Sequence, residues 1–464
     1  MRILRASAAP VKRTVTQKSR TLLPRPNGFC SMSAGEYVMK ETLPFKIIGK
    51  HPDQTDYRLC RRMLVGPWHN QPEQYQGYNG FVGWAGVTAL RSGRWVVAFN
   101  SGYWHASYPW TDEVRREVEG NETFNEMLQG WRKLGMPEIR APRGGRCHLI
   151  HSDDNGLTWS SPRCLADTDM TDLHPTIVET NEGTLLCTFC SDRMPFEAAS
   201  YYMLSEDNGE TWSSPAKPPG YQGGFGNGST TKLRDGTILW AVEARVPDDK
   251  GCSIESIGIT IYRSTDHGRT FGVASIARSN HSVYEPSIVE LPDRRLALIT
   301  RREGEIRFSD DGGESWSEAA HTGIEMFDPH LIMMPNGVLA CFHGSYKPEP
   351  PGNLRVALSP DNGRTWHGPS DRCGYTIDPT VYGYSHPMVL EDGTVYLVYI
   401  HTGGHTSHDA RTEAIWAIRV RINDTADGIG ILPAPGAPAA NTSVLSTLET
   451  ARTTAGDPEL GNLV

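Results

Sequence analysis

The 464-residue chain lacks the features that mark membrane-spanning and nucleic-acid-binding proteins. No stretch approaches the roughly 18 consecutive apolar residues that a spanning helix needs, so we expect no membrane span. Acidic residues outnumber basic ones, and a net charge of -9 with a pI of about 6.0 gives no sign of a basic face. We therefore expect no nucleic acid among its partners.

Cysteine is sparse and unpatterned. The nine cysteines are an odd number and lack the regular spacing of a disulfide framework. Cys187 and Cys190 stand inside an apolar strand pattern, TLLCTFC, with neither a helix start nor a second cysteine pair beside them. A redox or metal site needs one of those features, so we interpret both as buried, reduced thiols and expect no cofactor.

The two ends of the chain differ in composition from its middle. Residues 1–40 carry eight Lys and Arg residues against one acid, and hold no apolar run like that of a secretory signal. We interpret them as a disordered basic extension, which leaves the compartment open and slightly favours the cytoplasm. Residues 424–464 are rich in Ala, Pro and Thr and predict a disordered tail. One domain is therefore expected over residues 41–423.

One eight-residue turn pattern, Ser-x-Asp-x-Gly-x-Thr/Ser-Trp/Phe, occurs five times. The copies span residues 152–159, 205–212, 264–271, 309–316 and 359–366. Asp and Asn-Gly suit a tight turn with positive φ, and the aromatic residue at the end would pack between neighbouring repeats. A repeat of roughly 40–50 residues built from short strands is typical of a propeller.

A second repeat, an apolar strand pair bent at a glycine or once at Arg294, alternates with the turn pattern. Its six copies are WAGVTALRSGRWVVAF, HPTIVETNEGTLLCTF, NGSTTKLRDGTILWAV, EPSIVELPDRRLALIT, DPHLIMMPNGVLACFH and YSHPMVLEDGTVYLVY. Apolar runs around such turns are typical of hairpins. Six hairpins predict an all-β, six-bladed β-propeller. The sixth blade would close through residues 414–422 and take its outermost strand from near residues 45–48.

A long insertion interrupts the first blade between Phe99 and Cys147. Its middle, from Asp112 to Leu134, predicts a helix because five apolar residues have helical spacing: Val114, Val118, Phe124, Leu128 and Trp131. Long loops on a rigid scaffold tend to carry function, although this one could be a packing ornament.

The first residues of the six hairpins fall in one register. Nine positions before each hairpin glycine, or Arg294, stand Trp84, His174, Asn227, Glu285, Asp328 and Tyr384. The innermost strand of each blade lines the channel of a propeller, so these residues should form a ring at one mouth. Two positions further on, and on the same strand face, stand Gly86, Thr176, Ser229, Ser287, His330 and His386. Convergent polar groups at such a mouth indicate a binding or catalytic site.

Together these patterns resemble the sialidase (neuraminidase) superfamily over about residues 80–422. The turn patterns match its Asp boxes, or BNR repeats, and the six hairpins resemble its six-bladed propeller. GYSHPMVLEDG is similar to the segment that opens the last blade, which places Tyr384 at the position of the family's nucleophile. YEPSIVEL places Glu285 at the glutamate that assists this nucleophile. ITRRE places Arg301, with Arg302 beside it, at one arginine of the carboxylate-binding triad.

Three family positions have no close counterpart. The first triad arginine is expected where this chain reads Gly83-Trp84-Ala85, and the third has only Lys347 and Arg355 nearby, both out of register. The family's acid/base aspartate should follow the first hairpin. There the insertion offers Asp112, which the resemblance makes the candidate acid/base.

A tyrosine nucleophile suits a sugar that carries a carboxylate beside its anomeric carbon, since a carboxylate nucleophile would be repelled. The resemblance therefore implies an exo-acting glycoside hydrolase that removes a terminal, possibly acidic sugar from a glycan or oligosaccharide. Because two triad arginines are missing, we expect weak activity on ordinary sialosides. Candidate substrate-binding residues are Arg301, Arg302, His174, Asn227, Asp328, His330, His386, Trp84, Trp104 and His105.

Several alternatives stay open. A polysaccharide lyase on the same propeller would use Tyr or His to abstract a proton beside a uronic carboxylate. A non-catalytic carbohydrate-binding propeller would need only an aromatic wall, and each ionisable candidate could instead have a structural partner. A metal ion could be held by His174, Asp328, His330 and His386, although their spacing is not diagnostic.

Overall fold

The computed structural model describes residues 47–48, 57–73, 75, 78, 80–103, 107–133, 140–193, 197–219, 229–245, 256–346, 352–368, 374–381, 383–401 and 413–440. The predicted extension, residues 1–40, lies outside this part of the chain. Among the described residues, no helix has the length and apolar character needed to cross a membrane.

Six antiparallel sheets follow one another along the chain, and we number them blades 1 to 6. Before blade 1 come β1 (Ile47–Ile48), α1 (Tyr57–Cys60) and β2 (Arg62–Val65). Blade 1 holds β3 (Phe81–Ala89), β4 (Trp95–Gly102), β7 (Arg146–Ser152) and β8 (Arg163–Ala166). Its insertion holds β5 (Tyr108–Pro109), α2 (Asp112–Val118), α3 (Glu122–Lys133) and β6 (Arg140–Ala141). Blade 2 holds β9 (Thr171–Glu179), β10 (Leu185–Arg193) and β11 (Glu197–Ser205).

The remaining blades repeat the same order from the innermost strand outward. Blade 3 holds β12 (Thr230–Lys232), β13 (Ile238–Arg245), β14 (Ser256–Ser264) and β15 (Gly272–Arg278). Blade 4 holds β16 (Tyr284–Glu290), β17 (Leu296–Arg301), β18 (Glu305–Ser309) and β19 (Ala320–His321). Blade 5 holds β20 (Met326–Met333), β21 (Leu339–Ser345), β22 (Gly352–Ser359) and β23 (Tyr375–Asp378). Blade 6 holds β24 (Ser385–Val389), β25 (Val395–Ile400), β26 (Ile415–Ile422) and β27 (Ile429–Leu432), with a 3₁₀ turn at Pro438–Ala440 after it.

The six-bladed propeller predicted from the hairpins is confirmed. Each inner hairpin closes on a residue with left-handed backbone, and in five blades this residue is a glycine, such as Gly93 at φ 88°. In blade 4 the position is Arg294, at φ 74°, and its guanidinium pairs with Glu290 at 2.9 Å. An arginine therefore occupies the glycine position in this blade, with its side chain paired to a neighbouring carboxylate.

The five Asp boxes fix the turns at the end of the propeller opposite to the start of the inner strands. In the last box, the Asp361 carboxylate accepts hydrogen bonds from Ser359 Oγ at 2.9 Å, Thr365 N at 2.8 Å and Thr365 Oγ1 at 2.7 Å. The same bonds recur in the other four boxes. Each box is thus a self-contained turn that needs no ligand to satisfy its carboxylate.

Blade 6 closes with strands from both ends of the domain. The first half of β26 pairs with β2, its second half pairs with β27, and β1 pairs in turn with β27. The expectation that residues 45–48 supply the outermost strand is therefore correct for Ile47–Ile48. The expectation of disorder from residue 424 is wrong as far as residue 440. Ile429 and Ile431 alternate into the core, and the surrounding Ala and Pro residues hid this four-residue strand.

The insertion is helical, as its spacing predicts, but forms two helices instead of one. Gly120, at φ 76°, ends the first helix, and Asn121 Oδ1 accepts from Phe124 N at 2.9 Å to begin the second. Five apolar side chains form a small separate core: Tyr108, Val114, Val118, Phe124 and Leu128. Glu117 pairs with Arg193 of blade 2 at 3.0 Å, which holds the insertion on the propeller.

The two cysteines singled out in the sequence, Cys187 and Cys190, are buried free thiols on β10. Burial raises the pKa of both thiols, so both are protonated at neutral pH.

Candidate active site

Four of the ring residues share an unusual backbone conformation. Trp84, His174, Glu285 and Asp328 have φ values of 41°, 53°, 47° and 46°, in a region that side chains rarely enter. In each of these four blades the pairing of the first two strands slips next to the ring residue, as in a β-bulge. The same local distortion is therefore built four times around one mouth. Such strain is typical of functional sites.

A tyrosine and a glutamate meet at this mouth. Tyr384 Oη donates to Glu285 Oε1 at 2.9 Å, although the two residues come from blades 6 and 4. Arg301, the last residue of β17, completes the group, with Nη1 lying 2.5 Å from Glu285 Oε1 and 3.2 Å from Tyr384 Oη. Tyr384 and Glu285 are buried, at 3% and 6% exposure. A phenol, its proton acceptor and a cation are thus in direct contact.

The guanidinium of Arg301 is fixed on its other side as well. Its Nε donates to Tyr346 Oη at 2.7 Å, and it packs near the rings of Phe327 and Tyr346. Burial alone would lower the pKa of Arg301, but the adjacent Glu285, Tyr384 and Tyr346 raise it well above its ordinary value. Arg301 is therefore a permanent positive charge beside the phenol oxygen. Arg302 lies over the outer Tyr346 ring and contacts neither member of the pair directly through any hydrogen bond among the described residues.

The Glu285 carboxylate is held by a third blade. Its Oε2 accepts from the backbone N–H of Asp328 at 2.6 Å, and the Asp328 carboxylate accepts from the backbone N–H of Ser385 at 3.0 Å. Burial, followed by the nearby charge of Glu285, raises the pKa of Asp328 well above its usual range. This environment therefore favours the neutral form of the Asp328 carboxyl.

Aromatic rings and imidazoles fill the rest of the mouth. The Trp84 ring lies 4.8 Å from His174 and 5.8 Å from Tyr384, measured between ring centroids. Below them, two residues further along the inner strands, the ring centroids of His330 and His386 lie 4.3 Å apart. Burial lowers the pKa of His174 to about 3 and that of His330 to about 4, so these imidazoles are uncharged. The site offers neutral hydrogen-bonding groups and ring faces.

Little free space lies among the ring residues themselves. A cavity of about 20 Å³, room for roughly one water molecule, lies among Trp84, His174, Asp328, Tyr384 and His386. This cavity is too small for a sugar, although a larger one of about 780 Å³ is lined by the inner strands of blades 3 to 6, including His330 and His386. Among the described residues, no group of three or more His, Cys, Asp or Glu side chains is arranged to hold a metal ion.

Asp112 does not join this cluster. It is the first residue of α2, its side chain is 81% exposed, and it forms an ion pair with Arg115. Glu117, which faces blade 2, lies about 140° away from Asp112 around the helix. The helix therefore turns Asp112 away from blade 2, and the assignment of Asp112 as acid/base is not supported by its surroundings.

Of the remaining candidates, one is bonded within another blade and four lie outside the described residues. Arg355 is buried and donates to the backbone oxygen of Gly374 at 3.0 Å, so it is occupied in blade 5. Outside the described residues lie Trp104, His105, Asn227 and Lys347. Their predicted roles stay predictions.

The first-residue register missed a second group of buried charges. Asp192 and Arg245 stand at the ends of the second strands of blades 2 and 3, as Arg301 does in blade 4. Arg245 forms an ion pair with Glu243 at 2.6 Å, and Glu243 Oε1 accepts from the backbone N–H of Glu285 at 3.3 Å. The available signal was the charged end of three apolar strands: CTFCSDR, LWAVEAR and LALITR.

The model of the BNR repeat-like domain family matches residues 147–397, more than half of the chain. The chain belongs to this family. The six blades of this BNR-repeat protein form a sialidase-like propeller fold, which solved sialidase structures share. None of the curated protein sequences is significantly similar to it.

Three solved structures illustrate how the BNR-repeat fold is shared. A protein of unknown function from Dyadobacter fermentans DSM 18053 superposes with a TM-score of 0.56 at 17% identity, over 80% of this chain and 99% of that one. A mutant of the NanB sialidase from Streptococcus pneumoniae gives a TM-score of 0.53 at 13% identity, over 76% of this chain and 72% of that one. Trypanosoma rangeli sialidase with 2,3-difluorosialic acid, described as a covalent intermediate, gives a TM-score of 0.51 at 13% identity, over 90% and 64%. At such identities the similarity shows the fold alone.

Proposed function

We propose that this BNR-repeat protein is an exo-acting glycoside hydrolase that removes a terminal sugar from a glycan. The observation that carries the proposal is the 2.9 Å hydrogen bond from Tyr384 Oη to Glu285 Oε1, with Arg301 bonded to both. An activated nucleophile requires this contact between a hydroxyl and its base. The covalent intermediate described for the Trypanosoma rangeli sialidase is consistent with such chemistry on this fold.

The proposed reaction follows from the three contacts. Tyr384 Oη attacks the anomeric carbon and transfers its proton to Glu285, while the bond to the leaving oxygen breaks and a general acid protonates that oxygen. Arg301 stabilises the negative charge that develops on the phenol oxygen. Water then attacks the anomeric carbon and gives its proton to the deprotonated general acid, the glycosyl-tyrosine bond breaks, and Glu285 returns its proton to the phenolate of Tyr384. We do not assign the general acid to Asp112, because its exposed side chain is paired with Arg115.

The charge of the mouth bears on the substrate. Arg301 uses Nη1 on Glu285 and Tyr384 and Nε on Tyr346, so among the described residues only Nη2 lacks a protein partner. Each missing charge-assisted bond to a sugar carboxylate weakens binding by about 1.5–3 kcal/mol, and two together by about 100-fold or more. A neutral or weakly acidic terminal sugar therefore fits better than sialic acid. Trp84 and His174 would contact its ring, with His330 and His386 supporting them from below.

A panel of aryl glycosides that includes aryl sialosides tests the proposal. We expect turnover of at least one non-sialic glycoside, and a loss of at least about 1,000-fold in Tyr384→Phe, since only the attacking oxygen is removed. Tyr202→Phe, on an outer strand of blade 2, is the matched control and should keep full activity. Undiminished turnover in Tyr384→Phe would overturn the mechanism. A product with the ultraviolet absorbance of a new double bond would indicate a lyase instead.

A further inference from the structure

Asp328 connects the two residues of the proposed reactive pair. Its backbone N–H donates to Glu285 Oε2 at 2.6 Å, and its carboxyl Oδ2 accepts from the N–H of Ser385, the residue after Tyr384, at 3.0 Å. We propose that Asp328 is a positioning residue that joins blades 4, 5 and 6 and holds Glu285 and Tyr384 in bonding contact. This inference rests on the proposed function, because it assigns a role within the same site.

The position of Asp328 in the propeller explains why such a connection is needed. Glu285 belongs to blade 4 and Tyr384 adjoins blade 6, so blade 5 stands between the elements that carry them. The two bonds of Asp328 run in opposite directions from blade 5, one to each neighbour. We call these two bonds the Asp328 bridge. A small shift between blades would otherwise separate the phenol from its base, and misplacement of about 1 Å can cost on the order of 100-fold in rate.

The backbone of Asp328 supports this role. Its φ of 46° is a left-handed conformation that is strained for most side chains, whereas glycine adopts it readily. Glycine would supply the same N–H to Glu285 without strain, but it would lose the bond to Ser385. Glycine would suit this backbone better, so the function of aspartate at this position must lie in its side chain.

The charge state of Asp328 predicts which substitution preserves the bridge. Five titratable or charged groups surround it and Tyr384: Glu285, Arg301, His174, His330 and His386. Burial and the charge of Glu285 raise the pKa of Asp328 well above its usual range, which favours the neutral form of its carboxyl. Asparagine has the same shape, tolerates left-handed backbone and offers an amide oxygen to the Ser385 N–H. It should therefore replace aspartate with little loss.

Two variants separate the bridge from simple structural support. We expect Asp328→Asn to keep kcat within about threefold, and Asp328→Gly to lower kcat by about 10–100-fold with KM within about threefold and no decrease in Tm. Asn362→Gly, at another left-handed position in the last Asp box, controls for the relief of strain and should leave kcat unchanged. Full activity in Asp328→Gly would overturn the proposal. So would an equal loss in both variants, because the carboxyl would then act as an acid and not as a connector.

A measurement without substrate keeps this test separate from the proposed function. Protein labelled with 3-fluorotyrosine gives one fluorine NMR resonance for Tyr384, assigned by its absence in labelled Tyr384→Phe. We expect this resonance to shift or broaden in Asp328→Gly and to stay in place in Asp328→Asn. An unchanged resonance in Asp328→Gly would contradict the bridge. If no glycoside is turned over while the resonance responds as expected, the proposed function fails and the bridge stands.

Discussion

The two ends of the propeller differ in how they shift the pKa of a carboxylate and in which residues occupy left-handed backbone positions. Within the Asp boxes, left-handed positions hold Asn or Gly and once His267, and hydrogen bonds led by those of Thr158 lower the pKa of Asp154 to about 2. At the mouth, left-handed positions hold Trp84, His174, Glu285 and Asp328, and burial raises the pKa of Asp328. The first end is repeated five times with the same bonds, and the second has a different residue in every blade. The end with the five identical turns supports the structure, and the end whose residues differ from blade to blade carries the proposed chemistry.

The largest difference between the two ends should appear when a carboxylate loses its charge. Glu285→Gln keeps a hydrogen-bonding group beside Tyr384 but cannot accept its proton, so we expect kcat to fall by about 10²–10⁴-fold. Steady-state kinetics on the glycoside that is turned over provides the measurement. Glu290→Gln changes another buried carboxylate on the same strand, one that is paired with Arg294, and should leave kcat unchanged. Similar losses in both variants would remove the special role of the mouth.

A substitution at the Asp-box end should give the reverse result. Ser359 Oγ is buried and accepts from the backbone N–H of Gly363 at 2.8 Å, so Ser359→Ala leaves that N–H without its partner. We expect a loss of about 1–3 kcal/mol in the free energy of unfolding and no change in kcat. Denaturant unfolding of this variant and of the exposed Ser214→Ala compares the two. A kcat effect without a stability effect would contradict the division between the ends.

The smallest expected effect concerns pH and stability. Burial raises the pKa of Asp192 to about 7, above the roughly 3.9 of an unfolded aspartate, so its ionisation costs stability as pH rises from about 4 to 7. Asp192→Asn should therefore raise Tm by a few degrees at pH 8 and not at pH 4.

The pKa of Asp207 shifts in the opposite direction, to about 2, through hydrogen bonds from Thr211. Asp207→Asn should lower Tm above pH 4, and this difference should shrink toward pH 2.

The sequence predicted the blades and the first-strand ring because both depend on local repeats. Six hairpins with one turn position place Trp84, Glu285 and Tyr384 in register without any knowledge of long-range packing. The bonded contact of Tyr384 with Glu285 was implied only by the family resemblance. Geometry alone supplied its distance and its link through Asp328.

What the sequence did not reveal has physical causes. Asp192 and Arg245 stand nine positions after the glycines of their hairpins, whereas Arg301 stands only seven positions after Arg294, so no single offset leads to all three residues. The β27 strand is only four residues long, and its pairing with β26 comes from tertiary closure. Asp112 follows the first hairpin as the family pattern requires, but its place at the start of an exposed helix turns it to solvent.

Covalent trapping tests the central claim, that the phenol of Tyr384 is the reacting group. The protein is incubated with the fluorinated glycosyl fluoride of the sugar that it turns over, then digested and analysed by mass spectrometry. We predict time-dependent inactivation and one glycosyl adduct on the peptide that contains Tyr384, with no adduct in Tyr384→Phe. An adduct on a carboxylate instead, or the same adduct in Tyr384→Phe, would contradict the account.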